Sequence, residues 1–122
     1  MAFPNIQVKA TNLHLTDEIQ ELLEQKIHPL AKFLPKDSSD LKCDVELERV
    51  ADHQSGKIYR AEINLYVEGK LYRAEATEDQ IEKAIDEMRD EVKREIRKAQ
   101  AKRDSLIKRG GRKFKNMMRF GE

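Results

Sequence analysis

The sequence predicts an α+β domain of order β-α-β-β-β-α, a four-stranded sheet with two helices packed on one face. Three observations carry this. Four segments alternate apolar and polar residues with period two, two others repeat apolar residues at helical spacing, and short polar turns join the last three strands. A strand that alternates buries one side only, so a single layer of helices is enough to cover the sheet.

The first strand is residues 5–10, with Ile6, Val8 and Ala10 on one side and Gln7 and Lys9 on the other. Thr16 is placed to cap a helix whose first residues, Asp17 and Glu18, complement the positive end of the helix dipole. Ile19, Leu22, Leu23, Ile27 and Leu30 follow at helical spacing. Pro29 lacks a backbone donor and predicts a kink or an early end. Pro35 to Ser39 reads as a loop. Alternation returns at Leu41, Cys43, Val45 and Leu47, opposite Lys42, Asp44, Glu46 and Glu48. Asp52 to Gly56 carries turn residues and leads to a third strand through Tyr59, Ala61, Ile63, Leu65 and Val67. Glu68-Gly69-Lys70 is a tight connection into the fourth strand, in which Tyr72, Ala74 and Ala76 share a face. Thr77-Glu78-Asp79-Gln80 has capping-box spacing and opens the second helix. Its apolar stripe is Ile81, Ala84, Ile85, Met88, Val92, Ile96 and Ala99, and Gly110-Gly111 is expected to stop it after about Ile107. Residues 1–109 are therefore read as one domain. Residues 110–122 are read as a basic, flexible tail in which Phe114, Met117, Met118 and Phe120 show no period.

The chain has 122 residues, of which 39% are hydrophobic and 39% charged, so one small core and a large solvated surface are expected. A single cysteine excludes an intrachain disulfide and any multi-cysteine zinc site. Cys43 alternates with core positions and reads as a small buried hydrophobe. His14, His28 and His53 are far apart, and Asp52-His53 alone is a poor metal site. No glycine-rich phosphate loop, nucleophile elbow or metal-ligand spacing is present, so neither catalysis nor a cofactor is expected. No run approaches the roughly 20 apolar residues of a membrane span, and the first residues lack a signal-peptide pattern. The expected setting is the cytoplasm.

The net charge of +1 hides a strong asymmetry. From Lys93 to Glu122, twelve Lys or Arg stand against three acids, a net +9, whereas the first ninety-two residues hold twelve against twenty, a net −8. A concentrated positive segment on an acidic body points to a polyanionic partner, most commonly nucleic acid. At about 100° per residue, Lys93, Arg94, Arg97, Lys98 and Lys102 form a band centred opposite the apolar stripe. Arg103 lies on the apolar meridian itself, which implies that the helix has outgrown the core there. Complementing the helix dipole is worth about 0.3–1 kcal/mol and fades within a turn, so it cannot account for twelve cations over thirty residues. Asp90 is spaced to reach Lys93 or Arg94, and Asp104 to reach Lys108. Lys98, Lys102, Arg109, Arg112 and Lys113 are read as having no acid at helical spacing. A membrane-surface role needs a bulky apolar face on the same segment, and Leu106, Ile107 and the late Phe and Met residues are too sparse for one.

The helix, three-strand meander and second helix repeat the order of a double-stranded RNA-binding domain. More specifically, the chain resembles the ribosome hibernation promoting factors, also called ribosome-associated inhibitors or interface proteins. The residues that carry the resemblance are Asn5-Ile-Gln-Val, Leu13-His-Leu-Thr-Asp-Glu-Ile19, Lys26-Ile, Leu30-Ala-Lys-Phe33, Arg73-Ala-Glu-Ala76, Asp79, Ala84-Ile-Asp86, and Lys93-Arg-Glu-Ile-Arg-Lys98 with Lys102. Pro29 stands where relatives usually carry lysine, Glu91 where lysine is common, and Gln80-Ile81 in place of Met-Tyr. The resemblance implies binding to the small ribosomal subunit and its rRNA in the path of messenger and transfer RNA. It also implies inhibition of translation in a stress response, with idle ribosomes preserved and no reaction catalysed. Lys26 and Lys32 would be first-helix contacts, and Arg94, Lys98 and Lys102, with Lys93, Arg97 and Arg103 beside them, those of the second. Charge adds Lys108 and Arg109 just before the tail and Arg112, Lys113, Lys115 and Arg119 within it, and Phe114 is expected to stack on an exposed base. The chain resembles the short form, without the carboxy-terminal dimerisation domain, and is expected to be monomeric when free, with no membrane or small-molecule partner. Two other classes fit the charge pattern: a general structured-RNA-binding module, and a protein-interaction regulator of transcription with a basic docking tail.

Overall fold

A computed structural model describes residues 5–35, 40–50 and 56–119, the last thirteen of these as backbone only. The elements are β1 (Ile6–Thr11), α1 (Asp17–Ile27), a 3-10 segment (His28–Phe33), β2 (Leu41–Arg49), β3 (Tyr59–Val67), β4 (Lys70–Glu78) and α2 (Ile81–Arg119). The sheet order is β1-β2-β3-β4. β1 runs parallel to β2, as a crossover through α1 requires, and the other pairs are antiparallel.

Thr16 caps α1 from extended backbone, its Oγ1 accepting the Ile19 N–H at 3.2 Å. Helical geometry ends at Ile27, and the chain tightens into the 3-10 segment with Pro29 in its first turn, where a missing N–H costs least. At the β3–β4 turn, Glu68 (φ 51) and Gly69 (φ 81) are both left-handed, the signature of a two-residue type I′ hairpin.

Two sequence expectations are corrected. Thr77 does not cap α2: it pairs with Arg60 inside β4, and the ladder continues to Tyr59 opposite Glu78. Strand pairing claims the supposed capping box, and the first helical bond runs instead from the Ala84 N–H to the Gln80 carbonyl at 3.1 Å. Nor does α2 stop near Ile107. Its backbone stays helical through Gly110 and Gly111 to Arg119. Each glycine costs only about 1 kcal/mol in a helix, and Lys108, Arg109, Arg112 and Lys113 around the pair are good helix formers.

One core fills the space between sheet and helices. Leu23, Ile27 and Leu30 meet Cys43, Val45, Leu47, Ala61, Ile63, Leu65, Tyr72 and Ala74 of the sheet, with Ile81, Ala84, Ile85, Met88, Val92 and Ile96 of α2. Both helical segments therefore cover the same face, as the alternation requires. Burial, with help from the Asp44 charge, pushes the Cys43 thiol up to about 12. A thiol reagent at pH 8 is expected to label Cys43 only as fast as the chain unfolds, so labelling of the native protein at the rate of a free thiol would contradict this burial.

The open face of the sheet is ionic. Strand register sets Glu46 opposite Glu62 and Glu62 opposite Glu75, three carboxylates in one transverse row. Arg60, from the neighbouring row, spans them: its Nη2 lies 2.9 Å from both Glu62 and Glu75, and its Nη1 3.2 Å from Glu48 and 3.6 Å from Glu46. Arg73 Nε donates to Glu62 at 3.0 Å, and the Thr11 hydroxyl to Glu46 at 2.8 Å. Burial of Glu62 favours its neutral form, but the Arg73 hydrogen bond and the Arg60 and Arg73 charges outweigh it, and the carboxyl titrates below its ordinary 4.5. A depressed carboxyl stabilises the fold fully above the unfolded value and loses that contribution as pH falls through the lower folded value. Unfolding free energy should therefore decline below about pH 4.5, and Glu62→Gln should flatten that decline in urea titrations from pH 6 to pH 3.

Candidate nucleic-acid interface

Burial along α2 shows where the helix leaves the body. Among the described side chains of α2, Ile96 is the last that is buried, Ala99 and Gln100 are half-buried, and every residue from Ala101 to Leu106 is exposed. The departure from the core expected at Arg103 thus begins two residues earlier.

The predicted outward band divides between two places. Lys93 and Arg97, one turn apart, lie toward the 3-10 segment, where the half-buried Phe33 ring sits among three cations. The Lys32 and Lys93 ammonium groups are 5.1 and 5.4 Å from its centroid, and the Arg97 guanidinium is 5.7 Å away. Each contact at an exposed site is worth about 0.5–1 kcal/mol. Two like charges roughly 8 Å apart in water repel by about 0.5 kcal/mol, so the ring offsets the cost of gathering them. Among the described residues, no carboxylate forms an ion pair with any of the three.

Farther along the helix, Lys98 and Lys102 line an open cleft of about 410 Å³ against Lys70, Tyr72 and Arg73 of β4, with Glu95 at its edge. Lys70 itself lies over the Tyr72 ring at 5.1 Å. Arg103 lines a smaller groove with Pro35, Glu68 and Tyr72, turned back toward the hairpin as its place on the apolar meridian implies.

Other cations are partly committed. Lys26 reaches across to α2 and pairs with Asp86 at 2.9 Å. Lys98 was read as lacking an acid at helical spacing, yet Glu95 one turn earlier lies 3.9 Å from it, a loose exposed pair. Asp90 pairs with Arg89 at 2.7 Å rather than with Lys93 or Arg94. The side chains of Lys108, Arg109, Arg112, Lys113, Phe114, Lys115 and Arg119 lie outside the described residues, as do Asp52 and His53.

Sequence reasoning missed two participants, Phe33 and Lys70. Phe33 was visible as an aromatic between Lys32 and a loop, but only packing brings α2 to it. Lys70 gave no signal, since its place beside α2 depends on the hairpin. Among the described residues, no group of His, Cys, Asp or Glu is arranged to hold a metal ion, and no helix is long and apolar enough to cross a membrane.

Fold and surface together define a small α+β domain carrying a cationic helix on an acidic body. The chain belongs to the family described as sigma 54 modulation protein / S30EA ribosomal protein, which it matches over residues 6–104. Among solved structures, the N-terminal domain of Thermus thermophilus Protein Y is 26% identical and superposes with a TM-score of 0.64, covering 79% of this chain and 97% of that one. A ribosomal subunit interface protein from Coxiella burnetii has the same fold at 18% identity, with a TM-score of 0.61 over 79% of this chain and 97% of its own. No curated protein matches the chain.

Proposed function

We propose that this protein is a ribosome hibernation factor, which binds the small ribosomal subunit in the path of messenger and transfer RNA and inhibits translation without catalysing a reaction. The observation that carries the reading is the gathering of Lys32, Lys93 and Arg97 around Phe33, free of ion-paired carboxylates among the described residues, on a chain of the S30EA ribosomal protein family. Such cations meet rRNA phosphates without first breaking an internal ion pair. Arg94, Lys98, Lys102 and Arg103 extend the contact along α2, and Lys26 joins it at the cost of its Asp86 partner. Residues 110–122 serve as a basic extension of this surface, with Lys108 and Arg109 leading into it, and Arg112, Lys113, Phe114, Lys115 and Arg119 add contacts farther along the channel. Binding is driven mainly by counterion release, and recognition by RNA shape outweighs base sequence. The factor works in the cytoplasm, as a monomer when free, and leaves idle ribosomes intact.

Co-sedimentation with purified small subunits across a salt series tests this, with the full chain and with one ended after Ala99. Log affinity should fall linearly with log salt by roughly 0.7–0.9 per phosphate neutralised. Absence of association at low salt overturns the reading, and equal binding to plain duplex RNA favours a general RNA-binding module. In a translation assay, inhibition should be relieved by excess messenger and transfer RNA, and inhibition that persists would exclude occlusion.

A further inference from the structure

We infer that Phe33 is a positioning residue, the platform that turns Lys32, Lys93 and Arg97 into one preformed site for an RNA backbone phosphate. This deepens the ribosome reading and rests on it for the source of the phosphate. The three cations come from two elements, with sixty residues of chain between Lys32 and Lys93, yet their charged groups fall between 5.1 and 5.7 Å of one centroid. The ring packs against the core and is half-buried, so it is itself held. Long cationic side chains on a bare surface sample many rotamers, and a phosphate that binds them must quench that freedom. Here the negative ring face gathers them beforehand, and part of the ordering is complete before the ligand arrives. Ring contact leaves the N–H groups of the three cations for the ligand, whereas the ion pair of Lys26 with Asp86 occupies an ammonium directly. Lys93 and Arg97 also directly follow the buried Val92 and Ile96, in the last seated turns of α2 before the exposed stretch that begins at Ala101. The platform stands where the helix is still fixed to the body.

The test compares Phe33→Leu, which keeps an apolar side chain but removes the ring, with Phe33→Trp, which strengthens the quadrupole. In the free full-length chain, the side-chain methylene protons of Lys32 and Lys93 should carry upfield ring-current shifts by NMR, and Phe33→Leu should abolish them. Titration with a short single-stranded RNA should perturb the Lys32, Lys93 and Arg97 signals together. Phe33→Leu should weaken binding of that RNA, and of small subunits, about tenfold with the salt slope unchanged, because all three cations remain. Phe33→Trp should bind as tightly as the parent or more so. Binding of Phe33→Leu within twofold of the parent overturns the inference. If that variant does not fold, a fourfold or greater loss in a folded Phe33→Trp chain overturns it instead. Should the RNA arm behave as described while small subunits fail to bind the parent, the platform stands and the ribosome reading falls. If small subunits bind but no ring-current shifts are seen, the platform falls and that reading stands.

Discussion

Replacing Lys32, Lys93 and Arg97 together by alanine is expected to weaken binding to small ribosomal subunits by about two orders of magnitude at 0.1 M salt. Each cation that neutralises a phosphate releases roughly 0.7–0.9 of a counterion, so three lost contacts reduce the salt slope by about two to three. Affinity plots for parent and variant should therefore converge as salt approaches about 1 M, where release carries no driving force. The three side chains are exposed or half-buried and have no ion-paired carboxylate among the described residues, so the melting temperature should hardly move. This separates a binding defect from a folding defect. Lys26→Ala offers the contrast, since its ammonium already neutralises Asp86 at 2.9 Å and its removal should change the slope by less than one unit. Parallel salt lines for parent and triple variant would show that these cations touch no phosphate.

Arg60→Met should be the most damaging change on the open sheet face. It would remove the cation shared by Glu46, Glu48, Glu62 and Glu75. Glu62, only 8% exposed, would keep Arg73 as a partner but would face Glu46 and Glu75 directly across both ladders. Like charges directly opposite destabilise a sheet, and removing one partner of a fully buried ion pair costs about 3–5 kcal/mol. Arg60 retains 20% exposure, and solvent screening lowers the expectation to about 2–4 kcal/mol at pH 7, or a melting temperature lower by about 10 °C. The deficit should shrink below pH 4 as the carboxyls protonate, and Glu62→Gln in the same chain should recover part of it. A loss under about 1 kcal/mol in urea unfolding would mean that water already screens the row.

The strands were legible because one face is wet: each alternates cleanly, and Cys43, Val45, Leu47, Ile63 and Leu65 all point where the period places them. The Thr16 cap and the shortening at Pro29 were legible for local reasons, a side-chain acceptor and a missing donor. The capping box was misread because Thr77 serves equally well in a strand, and the choice lay with β3, whose Arg60 pairs with it from seventeen residues away. The glycine stop was misread because a weak local penalty was treated as decisive. The cationic band was legible as helical phase, but its division was not. Which of its edges meets Phe33 and which meets Lys70 depends on how α2 lies across the sheet, and no local pattern encodes that.

The charged row on the open face has a consequence for how the chain finds its alignment. A hydrophobic period of two forbids a slip of one residue but is blind to a slip of two, which leaves every apolar side chain facing inward. The type I′ turn ties β3 to β4 through two residues, whereas β2 and β3 are joined by the longer stretch from Val50 to Ile58. A slip that brought Glu48 opposite Glu62 would carry Arg60 past the end of β2, opposite Val50, and away from the carboxylates it now serves. The ion network thus acts as a key cut for one registration of β2 against β3, with polar chemistry selecting among alignments that hydrophobicity treats as equal.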